Sequence, residues 1–208
     1  MNESEQTNPN PGSGAKFDIN EIIATAKAVI TAPADYFQSM PTSGGLVNPL
    51  IFIIAMSLLA GLISGLRSFV GSPVGMLAFG VAAVIVIPSG ATIGAFIGAG
   101  VLFLVWKLMG SERDYEASFR CLAAVSAIYP ITVVLYLVPY LSTVVSLAWG
   151  AFLLIEASVA VHGRQRRTAQ LVFGILAAIL IVINVSGERA ARNFAGEAER
   201  LNEMLEQY

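Results

Sequence analysis

Few residues in this sequence combine a reactive side chain with a position that could use it. Glu156 is the only acidic residue well inside a long apolar stretch. A carboxylate in lipid is costly, so its position indicates a function in handling protons or cations. In the structural alternative, Glu156 lies within two helical turns of the end of its stretch and reaches Arg164, Lys107, Arg120 or interfacial water. We favour that alternative.

The segment HGRQRR, residues 162–167, brings the single histidine together with three arginines. His162 has no Cys or acidic residue at a ligand spacing, so we predict no metal site and no cofactor. Arg164, Arg166 and Arg167 form a basic cluster that could attract anionic lipid headgroups. The same cluster could simply fix the orientation of the chain in a membrane, and this role alone would account for it.

Motifs of membrane enzymes are absent from the sequence. There is no HExxH for an intramembrane metalloprotease and no GxSxG for a serine hydrolase. The three aspartates, Asp18, Asp35 and Asp114, all lie outside the apolar stretches, so no pair of them can meet inside a membrane. Cys121 is the only cysteine and cannot form an internal disulfide. We therefore predict that the protein is not an enzyme.

The composition identifies the environment in which these residues must be positioned. Hydrophobic residues make up 56% of the 208 residues and charged residues only 12%, against about a quarter charged in soluble domains. This imbalance predicts an all-α, polytopic membrane helix bundle that contacts the lipid bilayer. The net charge of −2 gives no basis for nucleic-acid binding.

Five apolar stretches are long enough to cross a bilayer as helices. They are residues 46–66, 89–108, 117–138, 141–161 and 168–186. Residues 74–87 are also apolar but too short for a crossing, which is typical of a re-entrant or interfacial segment. Alternatively, they continue into the second crossing as one long helix kinked at Pro88.

Small residues recur at four-residue spacing on two crossings, where they let helix backbones approach closely. They are Ser57, Gly61 and Gly65 on the first crossing, and Gly90, Gly94 and Gly98 on the second. We expect them to pack helices within one chain, although they could also mediate dimerisation or contact with other membrane proteins. The second crossing, Ser89 to Leu108, is predicted to be the central packing helix.

The remaining segments are assigned from their patterns. Residues 1–16 are polar and predicted to be disordered. Residues 17–32 form an amphipathic helix capped by Asp18, either lying in the membrane interface or packing on the bundle. Residues 33–45 are predicted to be a loop, residues 46–187 the transmembrane domain, and residues 188–208 a charged C-terminal helix.

The distribution of Lys and Arg predicts the orientation. With five crossings and a cytoplasmic N-terminus, eight of the twelve basic residues lie on the inner side. They are Lys16, Lys27, Lys107, Arg113, Arg120, Arg164, Arg166 and Arg167. We expect Lys107 and Arg120, near helix ends, to reach solvent.

The order of these features resembles the Yip-one (Ypt/Rab-interacting protein) domain family of multi-pass membrane proteins. The resemblance covers roughly residues 33–186 and rests on short motifs in a fixed order. They are PADYFQSMP (residues 33–41), Asn48-Pro49-Leu50, the Gly110–Phe119 stretch, Tyr129-Pro130, and Val161-His162-Gly163. The resemblance implies a cytoplasmic N-terminus and, in eukaryotic members, association with prenylated Rab-type GTPases during vesicle traffic.

This sequence lacks the DLYGP stretch and the GY pair of eukaryotic members, and its N-terminal region is short. These departures argue against GTPase binding and favour a prokaryotic member located in the cell membrane. Two functions then follow as hypotheses. One is a scaffold or interaction protein in membrane organisation or trafficking. The other is a small transporter or channel component that uses Glu156 in a polar path.

Overall fold

The computed structural model describes residues 18–71 and 81–206, and within these ranges the chain is helical with no strand. The predicted tail at 1–16, Phe17 and residues 72–80 lie outside the described residues. The helices are α1 (Ile19–Thr31), α2 (Pro33–Ser39), α3 (Val47–Gly71), α4 (Val81–Leu108), α5 (Tyr115–Val125), α6 (Tyr129–Leu135), α7 (Leu141–Ala160) and α8 (Arg166–Glu206).

Among the described residues, five helical segments are long and apolar enough to cross a membrane, and they confirm the predicted polytopic bundle. They are Val47–Leu66, Val84–Leu108, Tyr115–Leu135, Leu141–Ala160 and Arg166–Ala198. The third segment combines α5, a single 3-10 turn at Ser126–Ile128, and α6. Pro130 lies in the first turn of α6, where its missing N–H group costs no helical hydrogen bond.

The third crossing, rather than the second, is the centre of the bundle. Ten of its 21 residues are buried, against four of the 25 residues of Val84–Leu108, so the prediction that Ser89 to Leu108 forms the central helix is wrong. The crossing contacts α3, α4 and α7. Ala117, Cys121 and Ala124 on α5 are fully buried, and their small side chains allow three neighbouring helices to approach at once.

On α4, alanines rather than glycines make most of the close contacts. Ala95 and Ala99 are buried, whereas a side chain at Gly90 or Gly94 would meet no described atom within 4 Å. Gly98 does pack as predicted, since an added Cβ would lie 3.1 Å from Leu122. Glycine and alanine occupy adjacent four-residue ladders on this helix, and the sequence does not determine which ladder faces the bundle. On α3, Gly61 is buried and Gly65 half-buried.

The amphipathic α1 packs on the bundle through part of its apolar face. Asp18 caps it as predicted, accepting a hydrogen bond from the Asn20 amide at 2.8 Å. Ile22 and Val29 are buried, while Ile19 and Ile23 are each 59% exposed. The helix therefore contacts the protein on one side and leaves apolar side chains exposed on another.

The expected loop at residues 33–45 begins with a helix, α2. Pro33 occupies the first turn of α2 and Asp35 lies in the same turn, which are both favourable at a helix N-terminus. The proline ends α1 as predicted, but it also starts the next helix. Phe37, on α2, is buried.

Two predicted breaks are absent. Residues 81–108 form one helix that contains Pro88, which agrees with the long-helix alternative over the described part of residues 74–87. Likewise, α8 continues through Gly187 to Glu206 in 41 residues, so residues 188–206 are not a separate helix. One glycine costs only about 1 kcal/mol in a helix, and the Glu, Arg and Ala residues that follow favour the helix.

The bundle has two distinct ends. We define the loop end as the end formed by α1, α2, and the connections at residues 109–114 and 161–165. The hairpin end is the opposite end, with the connection at residues 136–140 and the part of α8 beyond Gly187. Most buried polar groups lie at the loop end.

Candidate functional site

His162 lies at the loop end, in the connection between α7 and α8, and is only 4% exposed. Its Nδ1 is 2.8 Å from the Ser111 hydroxyl, and its Nε2 is 3.9 Å from Cys121 Sγ. The ring stacks on Trp106, with 3.8 Å between centroids and 15° between planes. Gly163 follows with a φ of +62°, a turn that favours glycine. His162 is therefore enclosed by side chains from α4, α5 and the 109–114 connection.

This enclosure keeps the imidazole neutral. Burial, together with the positive charges of Arg113 and Arg164, lowers the pKa of His162 to about 4. No group of three or more His, Cys, Asp or Glu side chains that could hold a metal ion occurs in the described residues. The chemistry available to His162 at neutral pH is hydrogen bonding rather than charge.

Two arginines join the connections at the loop end to each other. Arg113 Nε donates to the Val161 carbonyl at 3.0 Å, and Arg164 Nη1 donates to the Met109 carbonyl at 3.0 Å. Arg164 Nε also donates to the His162 carbonyl at 2.9 Å. Met109 and Val161 follow the last turns of α4 and α7, where carbonyls lack helical partners and a positive charge is favourable. Each connection thus binds the backbone of the other.

Trp106 connects this layer to the interior of the bundle. The side chain is 1% exposed, and its Nε1 donates to the Ser158 hydroxyl at 2.8 Å. Ser158 in turn donates to the Leu154 carbonyl at 2.6 Å. Phe173 of α8 packs against the other part of the indole, at 5.8 Å between centroids. Trp106 therefore contacts residues of both α7 and α8.

Glu156 forms a bidentate ion pair with Arg166. The two bonds are Nη1–Oε1 at 2.5 Å and Nη2–Oε2 at 2.8 Å. The Glu156 side chain is 6% exposed and that of Arg166 is 50% exposed, so the pair extends from the protein interior to the surface. The predicted partners Arg164, Lys107 and Arg120 do not take this role. A parallel double bond of this kind is among the stronger charge-assisted contacts.

The three arginines of the basic cluster therefore have different surroundings. Arg164 binds backbone carbonyls, Arg166 binds Glu156, and Arg167 is exposed. Two of the three arginines are thus bound to other groups of the protein. Lys107 is exposed as expected and lies 5.4 Å from the Phe103 ring centroid.

Arg120 differs from the sequence prediction because it is only 8% exposed. Its Nε donates to Glu116 at 3.0 Å and its Nη2 to the Gly45 carbonyl at 2.7 Å. The Gly45 amide donates to the same carboxylate at 2.7 Å. At Gly44 the φ is +114°, and an added Cβ would lie 3.2 Å from Arg120. The guanidinium is thus held at the start of α3 instead of reaching solvent.

The motifs that carry the family resemblance come together at the loop end. Ser111 and Arg113, from the Gly110–Phe119 stretch, contact Val161 and His162 of the Val161-His162-Gly163 motif. Residues of PADYFQSMP and of Asn48-Pro49-Leu50 line a common cavity beside Arg120. Four residues of the loop end were not predicted from the sequence as site residues: Tyr36, Trp106, Ser111 and Cys121. All except Trp106 lie in or next to these motifs. The motif positions themselves were the signal available in the sequence.

Comparison with known proteins identifies a family. The family model described as the Yip1 domain matches residues 27–187 of the chain. The matched range begins within α1 and includes the loop-end contacts described above. No curated protein and no solved structure gives a significant match.

Proposed function

The chain belongs to the Yip1 domain family, and from this membership we propose that it acts as a non-catalytic scaffold in the membrane, binding partners at its loop end. As a Yip1-type protein it is a multi-pass integral membrane protein. The observation that carries the proposal is that the polar side chains of the loop end are bound within the protein and are not free to react. His162, Arg113, Arg164 and Glu156 all bind other parts of the same chain.

This arrangement disfavours catalysis. A nucleophile requires an accessible side chain next to a base, but Cys121 beside His162 is fully buried, and a buried thiol is inert. The same contacts produce a rigid platform whose outer surface carries Arg167 and the exposed side of α1. A fixed surface at the membrane interface is suited to holding another protein.

The scaffold is tested by photo-crosslinking of the full chain in its native membrane. A photoreactive amino acid is placed at Ile23 or Arg167 on the loop end, and at Leu104 as a lipid-facing control. Leu104 is 60% exposed within the second crossing. We expect discrete protein adducts at Ile23 and Arg167 but not at Leu104. Adducts with lipid alone at every position would reject the scaffold.

Ion transport is the alternative function, and it requires Glu156 to exchange a proton or cation. The bidentate bond to Arg166 opposes that exchange. The full chain in liposomes is expected to give no flux above protein-free vesicles. If the chain gives a flux and Glu156→Gln abolishes it, the scaffold proposal is rejected in favour of a transporter. The matched control is Glu197→Gln, which makes the same change at an exposed site on α8.

We further propose that the loop end faces the cytoplasm of a cell membrane. Six basic residues support this orientation by lying at or near that end: Lys107, Arg113, Arg120, Arg164, Arg166 and Arg167. Because the native Cys121 is buried, a cysteine introduced in place of Arg167 or Glu197 can report access alone. A membrane-impermeant maleimide on intact cells should label the variant at 197 and not the variant at 167. The opposite pattern would reverse the orientation.

A further inference from the structure

A cavity of about 230 Å³ opens at the loop end between α1, α2, the start of α3, and α5. It is smaller than the roughly 300–1,000 Å³ of sites that enclose drug-sized ligands, and is therefore suited to a small polar group. Its lining includes apolar side chains such as Ile22, Met40 and Phe52, and polar side chains such as Tyr36, Asn48 and Arg120. The cavity is separate from the His162 contacts.

Arg120 provides hydrogen-bond donors to this cavity. Its Nε and Nη2 atoms bind Glu116 and Gly45, while its Nη1 atom has no partner among the described residues. Every buried polar side-chain atom in that part of the chain does have a partner. Nη1 is therefore not completely enclosed by protein, and Arg120 is one of the residues that line the cavity.

Tyr36 provides a second donor. Tyr36 lines the same cavity, and its hydroxyl, like Arg120 Nη1, has no partner among the described residues. Burial raises the pKa of Tyr36 to about 12, so the hydroxyl keeps its proton at neutral pH. Together the guanidinium and the hydroxyl form a donor pair of the kind that binds phosphate oxygens.

The opposite charge lies among the exposed lining residues. Asp18, the N-cap of α1, and Glu21, in its first turn, are both exposed and belong to the lining of the same cavity. Arg120 is the cationic group of the lining and lies on its buried side, where it is also paired with Glu116, whereas the exposed side carries the two carboxylates. This order of charges matches a zwitterion with an inner phosphate and an outer ammonium group.

The position of the cavity agrees with a membrane headgroup. Asn48 and Pro49 begin the first crossing, and Arg120 lies five residues into the third, roughly 8 Å from its start at 1.5 Å per residue. A ligand here would have its polar part in the cavity and its chains in the bilayer.

We propose that this cavity binds the phosphoethanolamine headgroup of a membrane phospholipid. Arg120 and Tyr36 donate to the phosphate, while Asp18 and Glu21 accept hydrogen bonds from the primary ammonium. A phosphocholine headgroup has no N–H group to donate, and phosphoglycerol has no positive charge to offer these carboxylates. The inference deepens the proposed function, because it names a lipid partner for the loop end.

The proposal is tested by native mass spectrometry of the full chain after removal of lipid. The protein is offered equal amounts of phosphatidylethanolamine, phosphatidylcholine and phosphatidylglycerol with identical acyl chains. We expect about tenfold preferential retention of phosphatidylethanolamine, since one charge-assisted hydrogen bond is worth roughly that ratio. Equal retention of all three lipids, or a preference for phosphatidylglycerol, would overturn the proposal.

Two variants separate the parts of the headgroup. Glu21→Gln should reduce the preference for phosphatidylethanolamine over phosphatidylglycerol without lowering the unfolding temperature, since Glu21 is exposed. Tyr36→Phe should weaken retention of all three lipids alike, because each contains the phosphate. Glu197→Gln changes the same charge on α8 and should change neither quantity. A Glu21→Gln variant with unaltered selectivity would contradict the assigned role of the carboxylate.

The lipid-retention and crosslinking experiments can fail independently, so failure of the headgroup site is distinguishable from failure of the scaffold proposal. Loss of lipid selectivity with protein adducts still present at Ile23 and Arg167 would reject the headgroup site alone. Conversely, lipid selectivity without protein adducts would reject the scaffold and leave a lipid-binding protein.

Discussion

The two ends of the bundle use similar chemical groups in different environments. At the loop end, arginines bind partly buried carbonyls and the buried Glu156 carboxylate around the enclosed His162. At the hairpin end, Glu188 accepts from the Tyr140 amide and from Thr143 at 3.4 Å each, and from Arg192 at 2.7 Å. Arg192 also lies 5.6 Å from the Tyr140 ring centroid, and its side chain is 46% exposed.

The contribution of a polar contact to the free energy of unfolding depends on how deeply it is buried, and not on how many such contacts an end of the bundle has. A buried donor or acceptor that loses its partner keeps the full cost of its desolvation, whereas an exposed one regains water. We therefore expect substitutions at the loop end to destabilise the fold, and equivalent substitutions at the hairpin end to be tolerated. Even Tyr140, whose φ of +64° is unusual for a non-glycine residue, lies in the less buried region.

The largest effect is expected for Trp106→Ala. The substitution opens a cavity, removes the stacking on His162 and leaves Ser158 without its indole donor. The free energy of unfolding should fall by about 3–5 kcal/mol, measured by thermal unfolding in detergent. Trp149, half-buried on α7, is the matched control, and Trp149→Ala should cost clearly less. If both variants lost the same free energy of unfolding, the loop end would not be more important for stability than the rest of the bundle.

Arg164→Gln should have the next largest effect. The carbonyls of Met109 and His162 lose a charged donor, and we expect a loss of about 2–3 kcal/mol in the free energy of unfolding. Lowered protection of the amides around residues 109–114 in hydrogen exchange would accompany it. Unchanged protection there would show that the two connections are held together by other contacts.

Acidification should act through His162. The unfolded chain takes up a proton near the ordinary pKa of 6.5, while the folded protein does not until about pH 4, so stability falls as the pH drops through this window. At pH 5 the loss is about 2 kcal/mol relative to neutral pH. His162→Gln removes the titrating group, and its pH dependence should be flatter than that of the natural chain. Parallel pH profiles for the two proteins would refute this assignment.

The smallest effect is expected for Arg192→Gln at the hairpin end. The residue change is the same as in Arg164→Gln, but both the arginine and its partner are accessible to water. The unfolding temperature should stay within experimental error of the natural chain. A loss as large as that of Arg164→Gln would abolish the distinction between the two ends.

The existence of the helices could be predicted from the sequence, because long apolar stretches, Asp18 at a cap and Pro33 at a boundary each have a local physical cause. Choices between equivalent local patterns could not. Gly94 and Ala95 belong to neighbouring ladders on α4, and only the position of α3 and α5 determines which is buried. The helix at Pro33 was missed since proline can both end and begin a helix.

The contacts of the site depended on tertiary structure. Glu156 was recognised, but Arg166 became its partner only because the turn at Gly163 returns the chain, ten residues later, to the same level. Arg120 is buried because it contacts Gly45, 75 residues earlier in the chain. Its local sequence does not show this contact, and we therefore expected the side chain to reach solvent. Individual side chains indicated where polar groups lie, but not which groups they meet.

Because α8 is long, its far end and the loop end lie in different surroundings. At 1.5 Å per residue its 41 residues extend roughly 60 Å, about twice the thickness of a hydrocarbon layer. With Arg166 at one face of the hydrocarbon layer, a straight α8 would place the exposed Leu205 up to about 30 Å beyond the other face, and Phe194 nearer to that face. A molecule docking on them would approach from a compartment that α1 cannot reach, so a single chain can serve both sides of one membrane.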